Sequence, residues 1–323
     1  MKEFIIDAEG AGCRLDKQLL KILSNCGSGF VYKMLRKKNI TLNDCKADGN
    51  EHLREGDSIK IFFSEETFER LSGGTRSVNI PSVSGLDIVP YIIYENNNII
   101  IINKPSGLLS QKAAADDISL NEILLDYLKK KGELTDDKLA MFRPSVCNRL
   151  DRNTSGLVIF AKNYATSSAI ATFLKDRELN KYYKCLVKGR IDQKKRIEGY
   201  LIKDKASNMV TVTEEHLEGS AHIVTEYSPV IYKDDLTLLE VKLITGKSHQ
   251  IRAHLSSIGH PVLGDPKYGD RILNDILKKK YGIENQLLHS YRLIMPGKLP
   301  DILSGLEGMI FEAPLPEYFE RLL

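Results

Sequence analysis

The run Asn148-Arg149-Leu150-Asp151-Arg152-Asn153-Thr154-Ser155-Gly156 feeds directly into Leu157-Val158-Ile159-Phe160, and this junction constrains the fold more than any other segment. Turn formers followed by four apolar residues read as a loop carried on a buried strand. The loop presents one carboxylate between two arginines. Cationic neighbours favour the charged form of a carboxylate, and an anion on a rigidly carried loop suits a nucleophile or an anchor for one. Read alone, the same residues also fit a turn aspartate flanked by solvated arginines.

A chain of 323 residues is long enough for a large core, or for one large domain and a small one. Its 42% hydrophobic and 28% charged residues are ordinary for a folded chain. The longest apolar runs, such as residues 99–102, are strand-sized, so no membrane span is expected. The opening Met1-Lys2-Glu3-Phe4-Ile5-Ile6-Asp7 lacks the apolar core of a signal peptide, and a cytoplasmic location is expected. Cys13, Cys26, Cys45, Cys147 and Cys185 are scattered without a C-x-x-C pair, which points away from a zinc ribbon or a disulfide framework. His249, His254, His260 and His289 cluster late but lack the i, i+4 spacing of a helical metal pair, so no metal is expected. A net charge of +3 says little by itself about nucleic acid.

Residues 12–63 read as a compact α/β unit. Leu15, Leu19 and Ile22 recur at helical spacing, and Gly27-Ser28-Gly29 is expected to break the helix. A second helix follows, with Val31, Met34 and Leu35 inward and Lys33, Arg36 and Lys37 on the other side, a basic face that Lys38 extends. Ile40-Thr41-Leu42 and Ser58-Ile59-Lys60-Ile61-Phe62 are expected strands, the second entered by the turn Glu55-Gly56-Asp57. Residues 64–86 are polar and rich in Gly and Ser, and read as a linker.

From Ile88 onward strands and helices alternate without a regular βαβ rhythm. Strands are expected at residues 91–94, 98–102, 157–160, 182–187, 223–230 and 236–243, with helices at 120–128 and 165–174. The order argues for an α+β fold with a mostly antiparallel or mixed sheet. No G-x-G-x-x-G and no Walker-type loop is present, so no nucleotide cofactor has a visible cradle. In Thr245-Gly246-Lys247-Ser248-His249-Gln250-Ile251-Arg252-Ala253-His254-Leu255, the positions Ile251, Leu255 and Ile258 define an inward helix face, with His249 and Arg252 on a different side. Gly259 and Pro261 end the helix, and a Gly/Pro-rich loop runs on to Gly269, a length typical of functional loops.

Four segments together resemble the RluA-type pseudouridine synthases, most closely the RluC/RluD-like enzymes of large-subunit ribosomal RNA. They are Asn103-Lys104-Pro105-Ser106-Gly107-Leu108, Asn148-Arg149-Leu150-Asp151 with Thr154-Ser155-Gly156, Lys181-Tyr182-Tyr183-Lys184-Cys185-Leu186-Val187-Lys188-Gly189, and the stretch from Gly246 to Gly269. Leu288-His289-Ser290-Tyr291-Arg292-Leu293 resembles a further family segment. The front unit resembles the alpha-L (S-four type) RNA-binding motif, except that Gly27-Ser28-Gly29-Phe30 stands where that family often carries Ser-Arg. Asn148 replaces the family's usual histidine, and Lys247-Ser248 its commoner Arg-Thr.

The resemblance implies a pseudouridine-synthase fold, a mixed and mostly antiparallel sheet split by an active-site cleft, over residues 87–323. It implies an RNA-binding domain at 1–70 and a linker at 71–86. It casts Asp151 as the catalytic nucleophile or base, Tyr183 as the ring that stacks on the target uracil, and Arg252 as the partner of Asp151. Tyr183 is favoured over Tyr182 because it holds the register with Leu186-Val187-Lys188-Gly189. Ile251, Thr154 and His249 would contact the substrate, and Arg149 would fill the space that the extruded nucleotide leaves. Lys33, Arg36, Lys37 and Lys38 would meet RNA phosphates. The implied partner is RNA, most of all 23S rRNA, and no cofactor is implied; a monomer is expected because the large domain needs no partner chain to explain its apolar surface. Whether Asp151 attacks the anomeric carbon or assists elimination to a glycal stays open. Two other readings also stay open: an inactive ribosome-assembly factor on the same scaffold, and a glycosidase using Asp151, which would need a second carboxylate.

Overall fold

The computed structural model describes residues 1–7, 10–72, 86–135, 138–139, 142–204 and 209–323. At the front, β1 (Lys2–Ile5), β2 (Ile40–Leu42) and β3 (Ser58–Ile61) form an antiparallel sheet of order β1-β3-β2. Helices α1 (Leu15–Ile22) and α2 (Ser28–Arg36) share its core. Leu15, Leu19 and Ile22, at i, i+4 and i+7, meet Val31, Leu35, Ile59 and Ile61 in one apolar cluster. Burying each such side chain contributes about 1.5–3 kcal/mol.

Three local expectations need correction here. Ser28 and Gly29 do not break the chain between helices; they form the first turn of α2, and Gly27 alone is its extended N-cap. α2 ends at Arg36, and Lys38 takes a left-handed φ of 57°, so it lies past the helical face it was expected to extend. The front of the expected linker is helix α3 (Glu65–Ser72), whose Phe68 and Leu71 pack on the core of the front unit. Residues 73–85 of that linker lie outside the described residues.

The remaining elements follow in the order β4 (Ile92–Glu95), β5 (Ile99–Lys104), α4 (Leu120–Lys130), β6 (Ser145–Val146), β7 (Ser155–Ala161), α5 (Tyr164–Lys175) and β8 (Asn180–Lys188). Then come β9 (Lys195–Asp204), β10 (Met209–Thr213), β11 (Ala221–Lys233), β12 (Leu236–Leu243), α6 (Gln250–Ser257), α7 (Arg271–Tyr281), β13 (Leu288–Ile294) and β14 (Ile310–Glu312). Their strands join in one mixed 11-stranded sheet along the path β10-β9-β11-β12-β8-β13-β7-β5-β4, with β14 on β13 and β6 on β7.

The unbroken apolar runs of β5 and β7 are central strands covered on both faces. Ile100, Ile102, Val158 and Phe160 enter a cluster with Leu120 and Leu124 of α4. Ile99, Ile101, Leu157 and Ile159 enter another with Ile170 of α5. Successive side chains point to opposite faces, so a strand buried on both needs an apolar residue at every position.

One seam decides where the cleft lies. β7 and β13 pair in parallel over only two positions, Ser155 with His289 and Gly156 with Ser290, while β8 pairs antiparallel along the other edge of β13. The loop before β7 and the face of β8 therefore flank a short junction from which the two halves of the sheet diverge. Gly156 permits that junction: its φ is 114°, and a Cβ there would lie 2.2 Å from the Ser290 carbonyl oxygen.

At the far edge, Glu95 accepts hydrogen bonds from Lys162 (2.6 Å), Tyr127 (2.7 Å) and Lys131 (2.9 Å). Burial opposes its charge, but these donors, Lys162 foremost, outweigh it and bring the pKa from 4.5 to about 2. A carboxyl whose folded pKa is depressed stabilises the fold above its unfolded pKa and loses that contribution as pH falls from 4.5 towards 2. Glu95→Gln should therefore lower stability at pH 7 by on the order of 2 kcal/mol, allowing for partial exposure. Thermal melts at pH 7 and pH 3 check this: the gap to wild type should shrink at the lower pH, and an equal gap at both would refute it.

Candidate active site

The loop between β6 and β7 carries Asp151, and its backbone is held almost bond by bond. Ser110 exchanges two 3.0 Å hydrogen bonds with Leu150, accepting its N–H and donating to its carbonyl. The Arg152 carbonyl accepts from the Gly107 N–H and from the Lys104 ammonium, each at 3.0 Å. Ser106 donates to the Asn153 carbonyl at 2.8 Å. The Thr154 N–H closes the turn onto the Asp151 carbonyl. The segment Lys104 to Ser110 thus acts as a brace for the loop. Lys104 is wholly buried, and its ammonium also donates to the carbonyls of Pro105 and Leu108. Burial pushes its pKa down to about 7, with Asp151 pulling the other way.

Asn148 clamps the same loop from the opposite side. Its Oδ1 accepts the Ile159 N–H at 2.8 Å and its Nδ2 donates to the Leu157 carbonyl at 3.3 Å. In this chain the amide at position 148 ties the loop to β7.

From 101 residues further along the chain, Arg252 of α6 reaches Asp151: its Nη1 donates to Oδ2 at 2.8 Å. The remaining edge of the guanidinium is taken by Asp265, with Nε donating to Oδ2 at 2.7 Å and Nη2 to Oδ1 at 2.8 Å. Burial works against the Arg252 charge, yet the bonds and charge of Asp265 and then Asp151 outweigh it and raise its pKa. Asp265 has no exposed side-chain surface, and its Oδ1 also accepts the N–H groups of Lys267 and Tyr268. The Tyr268 ring lies over the guanidinium at 5.2 Å. Asp151 keeps 26% of its side chain exposed, so it is the one carboxylate of this pair that faces open space.

That space is a cleft of about 940 Å³ lined by Asp151, Arg252, Tyr183, Ile251, Thr154, His249 and Arg149, among others. Tyr183 stands on β8 opposite Val241 and beside Ser290, with its ring buried against the cleft. Burial raises its pKa to about 12, so it remains a neutral phenol. Tyr182 points to the other sheet face, where Lys242 and Arg292 lie over its ring.

Other expected contacts fall into place differently. Thr154 is buried at the cleft wall, and its hydroxyl accepts from Gln286 at 3.1 Å, which also braces the loop. Arg149 is exposed at the cleft mouth and makes no hydrogen bond or ion pair among the described residues. His249 is not on the helix: it is the N-cap of α6 with a left-handed φ of 56°. Its Nδ1 lies 2.9 Å from the Tyr268 hydroxyl, which itself accepts the Val210 N–H. Burial first, then the charges of Arg252 and Lys267, hold its pKa below the ordinary value against the pull of Asp151. The side of this helix away from Ile251 and Leu255 is also buried: Gln250, Arg252 and His254 all lie inside. Ile251 and Leu255 pack inward as expected, but Ile258 follows the helix end and is 37% exposed. Lys33, Arg36, Lys37 and Lys38 are all exposed on the front unit, remote from this cleft in sequence.

Among the described residues no cluster of three or more His, Cys, Asp or Glu is arranged to hold a metal ion, and no helix is long and apolar enough to cross a membrane.

The profile of the RNA pseudouridylate synthase family matches residues 98–257, the stretch that contains the Asp151 loop, β8 and α6. An uncharacterized RNA pseudouridine synthase of Mycoplasma genitalium is 31% identical over 99% of this chain and 98% of its own length. The chain belongs to the RluA-type RNA pseudouridine synthases. A ribosomal large subunit pseudouridine synthase C of Rickettsia conorii is 31% identical over 96% of both chains. A ribosomal large subunit pseudouridine synthase D of Borreliella burgdorferi is 34% identical over 82% of this chain and 77% of that one. The solved structure of human RNA pseudouridylate synthase domain containing 4 covers 73% of this synthase and 92% of its own chain, with a TM-score of 0.58 at 22% identity, and shares the fold.

Sequence reading left Asp265, Tyr268 and Lys104 without roles in the synthase. Asp265 and Tyr268 sit in the Gly/Pro-rich loop after α6, where a Cβ on Gly264 would strike the Asn285 carbonyl and one on Gly269 the Asp265 carbonyl, both at 2.3 Å. Two glycines flanking an aspartate at such close approaches are the available signal.

Proposed function

We propose that this synthase isomerises uridine to pseudouridine in large-subunit ribosomal RNA, the 23S species, with Asp151 as its catalytic group. The observation that carries the reading is the Arg252 guanidinium shared between a sealed carboxylate, Asp265, and one open to the cleft, Asp151. An arginine aims and charges the carboxylate it pairs with. Asp151 then either attacks the anomeric carbon or assists elimination to a glycal. The bond from uracil N1 to the sugar breaks, the base turns, C5 joins the sugar, and the C5 proton is lost while N1 gains one. Nothing is oxidised or hydrolysed overall, so the chemistry calls for no cofactor.

Tyr183 serves as a stacking platform, a contact of about 1–3 kcal/mol per base. Ile251 and His249 bound the base pocket, and Arg149 occupies the place of the extruded nucleotide. Extrusion costs a few kcal/mol, least for an unpaired base, which favours loop targets. One copy of the chain supplies every one of these groups, and the cytoplasm is the corresponding place of action. The domains are an alpha-L type RNA-binding unit at 1–70, a linker from about 71 to 86 and a catalytic domain at 87–323. The paired carboxylate that a glycosidase would use is replaced by Arg252, which disfavours that alternative.

The test follows from the lost C5 hydrogen. Purified protein should release tritium from a 23S rRNA transcript labelled with [5-³H]uridine, and much less from 16S rRNA or tRNA transcripts. No release from any of the three would refute the reading.

The front unit carries its own prediction. Lys33, Arg36, Lys37 and Lys38 read as phosphate contacts, which supply affinity and salt dependence but little sequence information. Removing residues 1–72 should weaken binding to the 23S transcript and flatten the slope of log affinity against log salt by about 2–3 units. An unchanged slope would exclude this unit as a phosphate reader.

A further inference from the structure

Among the described residues of the cleft, Lys181 is a cation that is both partly buried and unpaired. Lys181 stands on β8 two positions before Tyr183, so the two side chains share a sheet face and both line the cleft. Among the described residues Lys181 makes no hydrogen bond and no ion pair, although the side chain is only partly exposed. Burial lowers its pKa, and no neighbouring carboxylate offsets that. Its ammonium lies close to Gly246, where an added Cβ would come within 3.3 Å of the Lys181 Nζ. An unpaired charge that is partly desolvated is a cost to the fold, and such a group in a cleft marks a ligand site when an anion can enter.

We propose that Lys181 binds the RNA backbone phosphate adjoining the target uridine and so fixes how deep that nucleotide sits against Asp151 and Tyr183. Position and sign both favour a phosphate over the base. Lys181 is one strand repeat, about 6–7 Å, further along β8 than Tyr183. The ion pair of Asp151 is made with Arg252 and not with Lys181, which leaves this ammonium to another anion. Lys175, Arg177 and Lys247 line the same cleft on that side, and all three are exposed, giving the incoming strand a cationic track that Lys181 ends on the inside. Arg177 follows the C-cap of α5 with a left-handed φ of 62°, an ordinary way to end a helix.

This assignment rests on the proposed function of the cleft, and the experiment separates the two. A synthetic stem–loop of 23S rRNA centred on the modified uridine is prepared with its natural linkages, or with one neutral methylphosphonate 5′ or 3′ of that uridine. Lys181→Met and Lys181→Gln should each lose roughly 10- to 100-fold in kcat/KM, mainly through KM, as expected for one charge-assisted contact to bound substrate. Lys181→Arg should stay within about threefold of wild type, because a guanidinium also grips phosphate. One of the two neutral linkages should cost wild type the same factor while costing Lys181→Met less than about threefold. If the two losses multiply, or if neither neutral linkage slows wild type, the phosphate assignment is overturned. Asp151→Asn on the natural stem–loop is run beside them: turnover there would overturn the reading of the cleft itself, whereas an inactive Asp151→Asn with uncoupled Lys181 variants overturns only the phosphate contact.

Discussion

Asp151→Asn should reduce pseudouridine formation by on the order of 10⁴-fold or more while leaving RNA affinity within a few-fold. The substitution keeps the shape of the side chain and an oxygen to accept from the Arg252 Nη1, so the loop has no reason to move. It also leaves no orphaned charge, because the buried guanidinium keeps its two bonds to Asp265. Breaking a buried ion pair is costly when it strands a charge, and here Asp265 prevents that. Stability should therefore change by less than about 1 kcal/mol, which makes the variant a clean probe of chemistry. What it removes is the negative charge that either mechanistic route needs at the anomeric carbon. Rates on a 23S transcript, with affinity from filter binding and a thermal melt, check all three parts. A rate within tenfold of wild type would contradict the role given to Asp151.

Gly156→Ala should be a severely damaging small change in the fold. An added Cβ would lie 2.2 Å from the Ser290 carbonyl oxygen and 2.5 Å from its nitrogen, and both are backbone atoms that cannot swing aside. The φ of 114° adds strain for any residue with a side chain. Relief requires β7 and β13 to separate at the only two positions where they pair. Overpacking and backbone strain together should exceed about 4 kcal/mol. For a chain of this size that is a fall of roughly 6 °C or more in melting temperature, or loss of soluble protein. A melt within 2–3 °C of wild type would mean that the seam is looser than these contacts require.

The two predictions bracket what a reader can see in the residues alone. Runs 99–102 and 157–160 announce themselves as buried strands because a two-faced position admits only apolar residues. The edge strand β1 does not: Lys2 and Glu3 are at least partly exposed, and its pairing with β3 comes from a segment more than fifty residues away. α3 buries no residue by itself, so its sequence carries the polarity of a linker. α7 was missed although its signals were present, with Asp270 capping two N–H groups at the start and Gly282 left-handed at the end.

The site divides the same way. Asp151 and Arg252 stood out by type and context, yet the sharing of Arg252 with Asp265 depends on a fold-back of the loop that no local pattern encodes. Helical periodicity placed Ile251 and Leu255 correctly but is silent on the burial of Gln250, Arg252 and His254, because a helix buried all round in a polar network still looks amphipathic. Lys104 is the sharpest case. A lysine reads as surface, and only the three carbonyls converging on it explain why this one is inside.

The central claim is that this cleft makes pseudouridine with the carboxylate of residue 151. It is tested most directly by mapping carbodiimide-reactive uridines across 23S rRNA from cells whose only copy of the gene encodes Asp151→Asn. The account predicts that at least one site modified in the wild-type strain is blank in the variant strain and returns when the wild-type gene is restored. An identical map in both strains would contradict it.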